Sequence, residues 1–139
     1  MEPANDVMGD FVSPCGEFKL TLDDDGKVAY AYLKRVPTIL GDVWLYNRCA
    51  TPHEPDWKDP RNLPFANCQE FMLEEGRFDQ AVALADIRVD WHYAGGQPKA
   101  LVYLLGRLVA SVGVNDKPGY CRFASKDGPL AKVLMADGN

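Results

Sequence analysis

Phe18-Lys19-Leu20-Thr21-Leu22 is followed by Asp23-Asp24-Asp25-Gly26 and then by Lys27-Val28-Ala29-Tyr30-Ala31-Tyr32-Leu33-Lys34. The first five residues alternate apolar and polar, the period of a strand with one buried face. Asp25-Gly26 supplies the positive backbone angles of a tight turn, and the run that follows is rich in aromatic and β-branched residues. Together they form a β-hairpin. Phe18, Leu20 and Leu22 line one face of its first strand; Val28, Tyr30 and Tyr32 line one face of the second, opposite Ala29, Ala31 and Leu33. A second strand with so little polar surface on either side belongs inside a sheet rather than at its edge.

Working outward, Pro37 interrupts the pattern and Ile39 to Arg48, with Val43-Trp44-Leu45-Tyr46, predicts a third strand. Cys49 to Pro64 then carries Pro52, Pro55, Pro60 and Pro64, which excludes a helix or a central strand. A connection of this length is uncommon in a compact domain unless it is functional or packs into its own loop. A short helix is expected over Asn67 to Gly76, with Asn67 as cap, Glu70 three residues on and Gly76 as stop. Phe78 to Ala85 fits either a second helical piece or the approach to a strand. Ile87, Val89, Trp91 and Tyr93 alternate with Arg88, Asp90 and His92, and further strands follow at Leu101 to Leu105, Leu108 to Val114 and Tyr120 to Ala124. Asp127-Gly128-Pro129-Leu130 reads as the start of a C-terminal helix. Residues 1 to 14 read as a polar leader, and 15 to 139 as a single domain. The expected class is α+β: a mainly antiparallel, curled β-sheet of six or seven strands in two meanders, with two or three short helices.

The chain has 139 residues, 47% hydrophobic and 25% charged, which excludes disorder and suits one domain that folds without staple or metal. Ala100 to Val114, the longest nearly charge-free apolar stretch, is too short to span a bilayer. The N-terminus is acidic and lacks the apolar core of a secretory signal, so the expected location is cytoplasmic. Cys15, Cys49, Cys68 and Cys121 are too dispersed for a zinc or redox motif, and no metal or other cofactor is expected. The net charge of −5 argues against nucleic acid or an anionic membrane as partner. Acidic excess is concentrated in residues 1 to 80, which hold 15 acidic and 8 basic side chains.

Motifs for chemistry are sparse. No glycine-rich phosphate loop is present. Asp23-Asp24-Asp25-Gly26 departs from a calcium loop, because Lys34 stands where the bidentate acid belongs, and reads instead as a solvated hairpin tip. Ser111 lacks the first glycine of a nucleophile elbow. The best enzymatic constellation is Asp90 and His92, two apart on one strand face, joined by an unspecified cysteine. The binding signal is stronger. Trp57 sits in the proline-stiffened loop among Glu54, Asp56 and Asp59, an aromatic anchor ringed by negative charge.

The resulting expectation is a small acidic protein-binding domain, a binder rather than an enzyme on these residues. In its most concrete form it is an immunity-type inhibitor of a basic bacterial toxin, with Asp23, Asp24, Asp25, Glu54, Asp56, Trp57 and Asp59 as the partner-binding set. The alternative is a small enzyme or ligand-binding domain with a pocket on the curled sheet, lined by Tyr30, Tyr32, Trp44 and Trp91 and rimmed by Asp90 and His92. A third reading is a subunit of a larger assembly, since composition does not set the oligomeric state.

Overall fold

The computed structural model describes residues 7–134. Its first sheet is antiparallel and runs in chain order: β1 (Val7–Val12), β2 (Lys19–Asp24), β3 (Val28–Arg35) and β4 (Thr38–Asn47). The second holds β5 (Ile87–Ala94), β6 (Gln97–Leu104), β7 (Arg107–Gly113), β8 (Tyr120–Cys121) and β9 (Lys132–Val133), also in chain order, with only β8 and β9 parallel. The β2–β3 hairpin forms as its sequence predicts. Asp25 accepts hydrogen bonds from the Lys27 and Val28 amides, and Gly26 takes a φ of +88° that disfavours other residues.

Register explains the layers. Leu20 stands opposite Leu33 and Gly41 in successive strands, and Leu22 opposite Ala31 and Val43; this face is fully buried. Val102, Val109 and Val112 from the second sheet are buried in the same core. The sheets approach so closely at Gly41 that a Cβ there would collide with the Gly113 carbonyl oxygen. The free edge of β4 is also used: the Asp42 amide donates to Asp116 and the Trp44 amide to Leu130. These bonds tie the late chain to the first sheet.

Three expectations are corrected. The single curled sheet is two sheets, because residues 48–86 interrupt strand formation between the meanders. The helices expected over Asn67 to Gly76 and after Asp127 do not form; among the described residues there are only single turns of 3-10 helix. Tertiary hydrogen bonds claim the backbone instead. The Leu73 amide donates to Phe123, the Ser125 amide to Phe71, and the Lys132 and Leu134 amides to Gly119 and Cys121. Helices this short are marginal without such competition. Third, residues 7–12 of the polar leader form the edge strand β1, held along β2 by backbone pairing that needs no hydrophobic period. Residues 1–6 lie outside the described residues. No helix among those described is long and apolar enough to cross a membrane.

Candidate functional site

The opposite face of the first sheet carries Thr21, Tyr32 and Asp42 in one cross-strand row and Asp23, Tyr30 and Trp44 in the next. Residues 48–86 cover part of this face. The Tyr30 hydroxyl donates to the Phe65 carbonyl at 2.6 Å, and Trp44 is sealed in completely. Tyr32 and Asp42 remain only half-buried. At this boundary lies an open, mostly apolar cleft of about 340 Å3, floored by Tyr30, Tyr32 and Asp42. Trp57, Leu63, Pro64 and Phe65 make one wall, and Pro129 and Leu130 another.

The wall is anchored by charge. Lys27, just past the hairpin turn, donates to the carbonyls of Asn62 at 2.7 Å and Pro64 at 3.0 Å, and pairs with the Asp56 carboxylate at 2.8 Å. Asp56 also accepts from the Ala66 amide, and its carbonyl accepts from the Asn62 side chain. Four prolines and this clamp make the loop a built wall. Trp57 packs edge-on to Phe71 with ring centroids 5.5 Å apart. It therefore serves both as the pin of the loop and as lining of the cleft.

The structure places the residues of the expected acidic face as follows. Asp24 is buried and accepts from the Tyr46 hydroxyl, from Arg48 and from the Gly26 amide. Asp25 holds the hairpin turn. Glu54 pairs with exposed Lys58 at 3.1 Å, and Asp59 with Arg61 at 2.8 Å. Hydrogen bonds from the Arg61 side chain and amide hold the Asp59 carboxyl below the usual range. Asp23 stands opposite Tyr30 on the face that holds the cleft. Only Trp57 of the seven lines the cleft itself.

Asp42 is the residue that the sequence reading did not single out. Its carboxylate accepts no hydrogen bond and joins no ion pair among the described residues, although its carbonyl accepts from the Gly119 amide at 2.7 Å. Burial raises its pKa, and the field of Lys117 only partly opposes that. A charged residue inside the apolar run Ile39 to Tyr46 was the available signal. Burial and then the fields of Asp23, Asp42 and Asp25 push the Tyr32 hydroxyl up to about 12, so it remains a donor at neutral pH. That hydroxyl makes no hydrogen bond among the described residues.

The alternative pocket is divided. Tyr30 and Tyr32 line the cleft, Trp44 is core, and Trp91 lies half-buried on β5 in the other sheet. Asp90 bonds Arg88, and no hydrogen bond joins His92 to Asp90 or to a cysteine among the described residues. Nor, among the described residues, do three of His, Cys, Asp and Glu gather in a way that could hold a metal. Comparison with known proteins returns no matching family, no related characterised protein and no solved structure of similar fold.

Proposed function

We propose that this chain is a small acidic protein-binding domain acting in the bacterial cytoplasm, most concretely an immunity-type inhibitor that neutralises a basic toxin by covering its active surface. The observation that carries the reading is the Asp42 carboxylate, half-buried beside Tyr32 in an aromatic cleft and forming no ion pair among the described residues. A carboxylate left in this state is destabilised by its own desolvation, and a cation supplied by a partner relieves that cost. Asp23 on the same face and the acidic excess of residues 1 to 80 add a field that attracts a basic surface.

The test is affinity capture from the native lysate at low and high salt, followed by assay of the retained protein. The expected result is one stoichiometric basic protein that leaves at high salt and whose own activity stops when the domain is added back. Retention of nothing at low salt, or of a partner whose activity is unaffected, overturns the reading. A second reading, a small-ligand-binding domain, is favoured by the volume of the cleft, which falls in the range of such sites. Under that reading a small molecule, and no protein, raises the melting temperature.

A further inference from the structure

We infer that the cleft is a guanidinium site, built to take one arginine side chain. That the arginine is carried by a partner protein rests on the protein-binding reading; the chemistry of the cleft does not. Three observations converge on it. Tyr32 and Asp42 are direct cross-strand partners, which places an aromatic ring and a carboxylate side by side on one face. Both have unused capacity, since the Asp42 carboxylate and the Tyr32 hydroxyl make no hydrogen bond and the carboxylate forms no ion pair among the described residues, Lys117 acting on it only through its field. The surrounding wall of Trp57, Pro64 and Phe65 is apolar and aromatic.

The same chain already holds one complete example of this arrangement. On the second sheet the Arg88 guanidinium lies 4.0 Å from the centroid of the Tyr103 ring, its cross-strand partner, while its Nε donates to Asp90 at 3.2 Å. There the cation, the ring and the carboxylate all come from one chain. In the cleft the ring and the carboxylate are in place, and among the described residues no cation is ion-paired with that carboxylate, Lys117 reaching it only through its field.

Arginine fits better than the other cations. Its planar guanidinium stacks on aromatic faces, and its fork of donors matches the two oxygens of a carboxylate. It is also less strongly hydrated than an ammonium, which matters against walls of proline and aromatic carbon. A quaternary ammonium gains from aromatic rings but donates no hydrogen bond to Asp42.

Titration of the whole chain with arginine capped as its N-acetyl methylamide, followed by NMR, tests the site. Capped lysine, capped citrulline and tetramethylammonium serve as comparison probes. Capped arginine is expected to saturate, with dissociation on the order of millimolar for so small a probe, and to shift Tyr32, Asp42 and Trp57 signals. Citrulline, the neutral isostere, is expected to bind at least about tenfold more weakly, and Asp42→Asn to weaken arginine by a similar factor. Tyr32→Leu is expected to weaken it independently, and circular dichroism establishes that each variant is folded. Arginine binding no tighter than citrulline, lysine or tetramethylammonium overturns the inference, as does undiminished binding to folded Asp42→Asn. The two readings fail separately. If capped arginine binds through Asp42 while no basic protein is captured, the cleft assignment stands and the protein-binding reading falls. If a basic partner is captured equally by wild type and Asp42→Asn while capped arginine does not bind, the opposite holds.

Discussion

Replacing Lys27 by methionine keeps an unbranched apolar stem of four heavy atoms and removes the ammonium, so it tests whether the cleft wall is held by charge. The ammonium makes two hydrogen bonds to carbonyls, at 2.7 and 3.0 Å, and an ion pair at 2.8 Å. A hydrogen bond to a charged group is worth roughly 1.5–3 kcal/mol when well shielded. Lys27 keeps 35% of its side-chain exposure, so water competes for each bond. A value of about 1 kcal/mol apiece, or about 3 kcal/mol in all, is the appropriate scale. With an unfolding entropy of about 2.1 cal/mol/K per residue, that loss lowers the melting temperature by about 10 °C. Thermal unfolding followed by circular dichroism reads this directly. Hydrogen exchange at the Ala66 amide, which donates to Asp56, gives a local readout and should accelerate. Because Lys27 and Asp56 share one bond, Asp56→Asn and the double variant complete a cycle with a coupling of about 1 kcal/mol. A fall of less than about 3 °C with unchanged exchange at Ala66 would falsify the clamp, leaving the prolines and Trp57 to hold the wall.

Two further outcomes are expected. Burial raises the pKa of Asp42, so the native state holds its proton more tightly than the unfolded chain, and stability is lost as pH rises from about 3.9 through the folded value. Asp42→Asn should therefore melt above wild type near neutral pH and level with it below about pH 3; a variant that melts lower at neutral pH would reveal a stabilising bond to the carboxylate. Among the cysteines, hydrogen bonds to Ser13 and Tyr93 lower the thiol pKa of exposed Cys15, whereas burial pushes Cys121 up to about 12. Iodoacetamide should label Cys15 first and leave Cys68 and Cys121 untouched until denaturant is added, as read by mass spectrometry; labelling of all thiols at one rate would contradict the burial pattern.

Local chemistry was legible in this sequence. Alternation and turn residues are short-range signals, so the β2–β3 hairpin, the strand after Pro37 and the strand over Ile87 to Tyr93 could be read directly. The helices expected at Asn67 and Asp127 were misread for the complementary reason. Their caps and apolar spacings are real, but amides in both segments find partners such as Phe123 and Gly119, far away in the chain.

The candidate site divides along the same line. Sequence alone determined that the chain is acidic, that Trp57 lies in a proline-stiffened loop, and that Tyr30 and Tyr32 share a strand face. It could not determine which acids are already occupied. Asp24 meets Arg48 and Tyr46, and Asp56 meets Lys27, only when separate strands and the long connection come together. Those pairings give Asp24 and Asp56 local counter-ions, while the carboxylate of Asp42, a single acid in an apolar run, stands beside Tyr32 without an ion pair among the described residues. Counter-ions are assigned by proximity in space, and a carboxylate's surroundings are decided by which chain segments cover it. That is why the composition set the sign of the net charge and only the tertiary structure left the Asp42 carboxylate half-buried without an ion pair among the described residues.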